Sequence, residues 1–326
     1  MPQLAEAVDP IAATARLGLS SAQKCLPPWL FYDEAGSQLF EQITALPEYY
    51  LTRTERDLFE RHADDILLSL ECPVTIVELG AGTAAKTGIL LKAATQFQPG
   101  VLYQPIDVSP TALAEARESL ERHLPQVVVR PQVANYVTDP IRIHREPGAK
   151  VLALYIGSSI GNFSPADARA VLKNLRSQLR AGDALLLGTD LAPGVCKSVD
   201  ALLAAYDDAA GVTAAFNLNI LDRLNRDLGS NFNLDGFRHE ARWNPAESRI
   251  EMHLASTQSQ QVHLPANSAG PAVTLDFAPG ETIHTENSYK FTAEALASLL
   301  TDSGFIPART YTDSKHLFAV TIAEAS

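Results

Sequence analysis

The chain has 326 residues, 46% hydrophobic and 20% charged, a globular composition that excludes a disordered or fibrous protein. Its 38 acidic residues outnumber 26 basic ones, for a net charge of −12, which does not suit a nucleic-acid partner. Three scattered cysteines (Cys25, Cys72, Cys196), no signal-peptide pattern and no apolar run of roughly 20 residues lead us to expect a cytoplasmic protein with reduced thiols, no metal site and no membrane span.

In chain order, residues 1–55 hold the helix-like piece SQLFEQITAL, followed by Pro47-Glu48-Tyr49-Tyr50. Thr52 and Glu55 have the spacing of a capping box for the helix after them. Residues 74–79, VTIVEL, are a short apolar run rich in β-branched residues. Gly80-Ala81-Gly82-Thr83 then leads into the helical stretch AAKTGILLKAA. This is strand, glycine turn and helix, and glycine there permits close backbone approach to a ligand. A second strand, VLYQPIDVS at 101–109, carries Asp107 at its carboxyl end, and Ser109-Pro110 opens the helix TALAEARESLERHL. PQVVVRPQVANY at 125–136 and VLALYIGSSIGN at 151–162 supply two more strand units. Ser164-Pro165 opens a helix whose Val171, Leu172, Leu175 and Leu179 share a face and which Gly182 would cap. Asp183–Asp190 reads as a fifth strand. Such alternation implies a parallel sheet covered on both faces, with ligands at the carboxyl ends of its strands.

Beyond Pro193 the rhythm changes. Residues 198–229 read as helical. FRHEARW, RIEMHLAS, QQVHLP, AVTLDF and ETIHTE then alternate between 236 and 286, with turns such as Asn244-Pro245 and Pro279-Gly280, as antiparallel strands do. After Phe291 the α/β style returns: Thr292 caps AEALASLLTD, Gly304 ends it, and two strands follow near 305–312 and 316–323. The expected fold is α/β, a Rossmann-like sheet (56–195 plus 287–326) with an inserted α+β domain (1–55 plus 196–286) and a ligand cleft between them. In ETIHTENSYKF, residues 281–291, strand runs into the start of a helix, and Glu286 and Ser288 face the same way if the chain is extended. His253, His263 and His284 show no metal spacing and read as surface or strand positions.

Gly80-x-Gly82-x-x-Ala85 formally fits the dinucleotide fingerprint. Three features turn the reading toward S-adenosylmethionine. Glu78 comes just before Leu79-Gly80. Asp107 ends the second strand, where a carboxylate can accept both ribose hydroxyls. Arg180-Ala-Gly-Asp183 joins a helix to an apolar strand. This cofactor has no pyrophosphate and so needs no full glycine set. A nicotinamide, or a βα turn with no ligand, stays open on these residues alone.

Five stretches carry a more specific likeness: FYDEAGSQLFEQITALPEYYLTRTE at 31–55, VELGAGTAAKT at 77–87, YQPIDVS at 103–109, GSSIGNF at 157–163 and IHTENSYKF at 283–291. From about residue 20 to 323 the chain resembles the histidine-specific methyltransferase family, whose members include the ergothioneine-pathway enzyme that trimethylates the α-amine of L-histidine. The resemblance implies a class I methyltransferase sheet whose second domain binds substrate. It implies cofactor contacts at Gly80, Gly82, Lys86, Asp107, Asn135 and Tyr136, where the family pattern has an acidic residue at 135. It places Asn162 and Tyr206 on the substrate carboxylate with Gly157 nearby, Tyr49 beside the amine, Tyr32 at the pocket entrance, and Glu286 and Ser288 on the imidazole.

Imidazole offers two ring nitrogens, and two polar partners on one strand face suit that pair. An isolated E-x-S would instead be a solvated strand edge. Taken alone, Asn162 is a helix cap, Tyr206 plain core and Tyr49-Tyr50 helix-end packing. The implied reaction is three displacements by a neutral amine, giving hercynine, by a monomer acting on free histidine and its methylated intermediates without a metal. The motifs hold no dedicated general base, which leaves Tyr49 or an ordered water to carry the proton. The rival readings are a methyltransferase of the same fold acting on a tryptophan-like amine, an NAD-dependent oxidoreductase, and a non-catalytic ligand-binding module.

Overall fold

The computed structural model describes residues 9–137 and 139–326. Helices α1 (Pro10–Leu19) and α2 (Glu34–Ala45) lead to α3 (Tyr50–Leu68). Then come β1 (Val74–Leu79), α4 (Thr87–Phe97), β2 (Val101–Asp107), α5 (Pro110–His123), β3 (Val127–Val129) and β4 (Gln132–Val133). β5 (Lys150–Tyr155), α6 (Pro165–Gln178) and β6 (Ala184–Asp190) complete the alternating part. α7 (Val199–Ala204) and α8 (Val212–Leu228) precede β7 (Phe237–Asn244), β8 (Arg249–Ser256), β9 (Gln260–Leu264), β10 (Val273–Phe277) and β11 (Thr282–Tyr289). α9 (Ala293–Asp302), β12 (Phe305–Thr312) and β13 (Phe318–Ala325) end the chain. No helix among the described residues is long and apolar enough to cross a membrane.

The chain forms two compact units. One takes the described residues up to Tyr50 together with Ser198–Ser288, and the other takes Leu51–Lys197 with Tyr289–Ser326. These limits lie at 50, 197 and 288, where the sequence suggested 55, 195 and 286. The shift moves Ser288 into the first unit with Glu286, and Glu55 into the second. Residues 1–8 of the expected first segment lie outside the described residues.

The second unit is built on one mixed sheet in the order β12-β13-β6-β5-β1-β2-β3, with β4 also on β2. β1, β2, β5 and β6 run parallel, and β13 lies antiparallel between β6 and β12. Every residue of β1 and β6 is buried, as strands covered on both faces must be. The apolar face of α6 (Val171, Leu172, Leu175) packs with Tyr155, Leu185, Leu187 and Leu300 of α9 in one core. The caps fall where the sequence indicated: Ser109, Ser164 and Thr292 each accept a backbone N–H three residues on.

Five local readings need correction. α6 ends at Gln178 with Leu179 as its cap, so Gly182 belongs to the turn before β6 and donates to Ala325 O at 3.2 Å. The third strand unit breaks into β3 and β4 around Arg130-Pro131, since proline cannot donate to a ladder. Residues 198–229 form two helices with a break at Gly211, and the last strand starts at Phe318, two positions later than expected. β11 continues to Tyr289, so ETIHTENSYKF does not run into a helix; α9 begins at Ala293.

The first unit has α8 as its longest helix and two antiparallel pieces, β11-β8-β7 and β10-β9. β7 and β8 form a hairpin paired from Phe237↔Ser256 to Asn244↔Arg249. The segment before α2 docks on β11: Leu26 N–H donates to His284 O at 2.8 Å, and His284 N–H donates to Lys24 O at 2.9 Å.

Candidate functional site

In the second unit, the turn after β1 is held by Gly80 N–H, which donates to Ile106 O at 2.8 Å. Gly80 has φ +69°, a left-handed conformation that glycine adopts without strain, and its missing Cβ leaves the backbone bare beside the Tyr136 ring, 3.6 Å from where that Cβ would stand. At the end of β2, one oxygen of Asp107 accepts from Gly82 N–H and the other from Ser109 N–H, each at 2.9 Å. A carboxylate has about four acceptor positions, so this anchored group still has capacity for two hydroxyls. Tyr136 meets Tyr155 edge-on at 5.6 Å between centroids, and burial raises its hydroxyl pKa.

Asn135 has its carboxamide oxygen on Val137 N–H at 3.0 Å, and its own N–H donates to Asp139 Oδ2 at 2.8 Å. The loop where the resemblance led us to expect an acid at 135 therefore has the Asp139 carboxylate bonded directly to the Asn135 backbone. Gly157 and Asn162 both follow β5. Asn162 closes the short 3-10 turn Ser159–Asn162, and the cap of α6 is Ser164, so helix capping does not account for Asn162. Lys86 directly precedes α4 and is paired with Glu55.

A second buried carboxylate supports the turn from behind. Glu78, the last residue but one of β1, accepts from Thr87 Oγ1 at 2.8 Å and from the Tyr103 hydroxyl. Burial raises its pKa to about 7, against the pull of the Tyr103 and Thr87 hydrogen bonds. Glu78 thus ties the helix after the glycine turn to β1 and β2, and the expected E-L-G-x-G pattern is here a structural brace.

In the first unit, Glu286 and Ser288 are both buried on β11, and Asn287 between them is half-buried. The Tyr206 hydroxyl and Ser288 Oγ are hydrogen-bonded at 2.8 Å in the interior. Two residues expected at opposite ends of a ligand therefore touch each other. Tyr206 also meets the Tyr49 ring edge-on at 6.2 Å. Tyr49 continues to Phe40 (6.3 Å), Phe40 to Tyr32 (5.8 Å), and Tyr32 to Phe216 (5.9 Å), a chain of edge-on rings. Tyr49, Tyr206 and Phe216 are buried, while Tyr32, between Phe40 and Phe216, is exposed.

His239, which the sequence reading did not single out, braces Tyr206. Its Nε2 meets Tyr206 O at 2.8 Å, and its Nδ1 meets Asn217 Nδ2 at 2.8 Å. The amide nitrogen of Asn217 is a donor, so His239 is neutral with its proton on Nε2, and burial lowers its pKa accordingly. It fixes the backbone of Tyr206. His253 is not a surface residue: it is buried and stacked on His284 at 4.9 Å, and burial next to His284 lowers its pKa to about 4. His263, by contrast, is exposed. Only an alternating pattern flagged these positions in the sequence, and it does not say which face a neighbouring helix covers.

The residues of the second unit fit S-adenosylmethionine: a bare glycine turn, an anchored carboxylate at the end of β2, and an aromatic ring against the turn. The chain matches the family model described as "Histidine-specific methyltransferase, SAM-dependent" over residues 11–325. It is 38% identical over 317 residues to the histidine N-alpha-methyltransferase of Mycolicibacterium smegmatis, covering 97% of this chain and 95% of that protein. The enzyme of the same name from Mycobacterium tuberculosis is 38% identical over 306 residues, with 94% and 92% covered. A solved S-adenosylmethionine-dependent methyltransferase from Clostridium acetobutylicum superposes with a TM-score of 0.50 at 10% identity over 89% of this chain and 98% of that one, a likeness of fold. The chain belongs to the histidine-specific, S-adenosylmethionine-dependent methyltransferase family.

Proposed function

We propose that this N-methyltransferase transfers three methyl groups to the α-amine of L-histidine and so makes hercynine, the first step toward ergothioneine. The observation that carries the substrate is the buried pair Glu286 and Ser288 on one strand. A carboxylate and a hydroxyl on one strand match the donor and the acceptor that a neutral imidazole offers at fixed separation. An indole in that place offers one donor and no acceptor, and so matches only one of the two groups.

S-adenosylmethionine, when bound, supplies a methyl group on an electron-poor sulfonium. The chain's residues do the rest by binding and orientation. Gly80, Gly82, Lys86, Asp107, Asn135 and Tyr136 would hold it. Glu286 and Ser288 would fix the imidazole, and Tyr206, Asn162 and Gly157 the carboxylate end. Only the deprotonated amine has the lone pair for displacement, so each round begins with loss of a proton, and Tyr49 is the side chain we assign to relay it, its hydroxyl taking the amine proton as its own passes to water. Fixing both ends of the amino acid while the amine alone changes lets one pocket serve three rounds. The face of the Tyr49 ring favours the quaternary product by about 0.5–2 kcal/mol.

The proposal includes a cytoplasmic monomer that uses no metal. Mass spectrometry after incubation with S-adenosylmethionine and each of the twenty amino acids tests the substrate. One to three added methyls on histidine alone are expected. Methylation of tryptophan in place of histidine would overturn the substrate assignment, and a dimer's mass by light scattering would overturn the monomer.

A further inference from the structure

Glu55 has the spacing of a capping-box acid, yet it caps nothing. α3 begins at Tyr50, and the Glu55 side chain turns inward until none of it is exposed. Both of its oxygens accept from Gly157 N–H, at 2.9 and 3.0 Å, and one pairs with Lys86 Nζ. The sheet is shaped to admit it: a Cβ on Gly188, in the middle of β6, would stand 2.0 Å from Glu55 Oε1. One carboxylate thus draws together the residue that opens α4, the peptide that follows β5, and a gap in the side-chain layer of β6.

A buried ion pair is weak evidence for a stabilising role, because desolvation consumes most of the attraction. What distinguishes this pair is which groups it holds. We infer that Glu55 is a positioning residue for methyl-donor binding. It fixes the Lys86 ammonium and the Ile156–Gly157 peptide, and its negative charge cancels that of Lys86. The inference rests on the proposed role of Lys86 as a donor contact. The cancellation has a direction. S-adenosylmethionine carries a sulfonium charge that its demethylated product lacks. An uncompensated lysine therefore repels the donor and not the product.

Calorimetric titration of the purified enzyme with S-adenosylmethionine and with S-adenosylhomocysteine tests this without turnover. Glu55→Gln is expected to weaken donor binding ~10-fold or more, the scale of a lost hydrogen bond to a charged group, and product binding several-fold less. Glu55→Asp keeps the charge and shortens the reach. It should weaken both ligands while leaving their ratio near wild type, and it serves if the glutamine variant does not fold. Lys86→Met alone tests the underlying reading, which fails if donor affinity does not change. If Lys86→Met weakens the donor and Glu55→Gln does not, the positioning role is overturned. Equal losses for donor and product in Glu55→Gln would overturn the charge cancellation. In a Lys86→Met background, Glu55→Gln should add little, whereas full multiplication of the two effects would mean that Glu55 acts independently.

Discussion

The two units handle buried polarity in different ways. The sheet unit buries charge: Glu55 against Lys86, Glu78 under two hydroxyls, and Asp190 between Lys197 and Lys290. The unit with Tyr206 braces its interior largely with neutral groups: Tyr206 on Ser288, His239 on Asn217, His253 stacked on His284. Parallel strand ends create fixed backbone donors, such as Gly82 and Gly157 N–H, and carboxylates can be anchored on them. In the antiparallel unit, polar side chains bond one another and carbonyl groups, as Asn217 does with His239 and His253 O.

The difference makes the two units respond oppositely to pH, and this is the largest effect we expect. Glu78 has a folded pKa of about 7 against a reference of 4.5. Its contribution is full below pH 4.5 and is lost as pH rises through 7, by ~3 kcal/mol. His253 has a folded pKa of about 4 against 6.5. Its neutral form is the one that fits, so its contribution is full above pH 6.5 and is lost as pH falls through 4, by a similar ~3 kcal/mol. Denaturant titrations at several pH values should show Glu78→Gln removing the loss as pH rises from 4.5 through 7 and His253→Gln removing the loss as pH falls from 6.5 through 4. Identical pH profiles for both variants would break the comparison.

The next effect separates the units by ligand. Asp107→Ala should weaken S-adenosylmethionine binding by ~10–100-fold and leave the KM for histidine within about twofold if Asp107, anchored on Gly82 N–H, holds the donor as proposed. Glu286→Ala should do the reverse, raising the KM for histidine by ~10–100-fold with donor affinity kept. Calorimetry for the donor and steady-state kinetics for histidine read the two sides. If Glu286→Ala lowered both equally, Glu286 would be a structural group of β11.

How much of this was readable beforehand follows the same division. The glycine turn, Asp107, the helix caps and the strand order's alternating part are local, set within one βα unit, and a sequence displays them directly. Glu55 misled because the spacing of a capping box is only three residues, and nothing within those three says that α3 already started at Tyr50. The ring series of Tyr32, Phe40, Tyr49, Tyr206 and Phe216 joins two stretches of sequence, 32–49 and 206–216, that only folding brings together. His239 and His253 sit on strands whose alternation was visible, but α8 and the second histidine ring decide which positions lose water. The family likeness pointed to Glu286 and Ser288. It did not reveal that Ser288 is bonded to Tyr206.

That bond sets up the finest of the tests. If Tyr206 and Ser288 serve opposite ends of histidine independently, Tyr206→Phe and Ser288→Ala should each raise the KM for histidine and their effects should multiply. If the 2.8 Å bond persists with substrate bound, the two hydroxyls act as one unit and one hydroxyl's loss disarms the other. The second outcome is expected, because each buried hydroxyl needs its partner and a net hydrogen bond is worth about 1 kcal/mol. Each single variant should then cost ~5-fold, and the double variant no more than the worse single one. His239→Gln should mimic Tyr206→Phe only weakly, since it loosens the Tyr206 backbone and leaves the hydroxyl pair in place. A double variant ~25-fold impaired, the product of the two singles, would mean that the two hydroxyls act on the two ends of histidine independently.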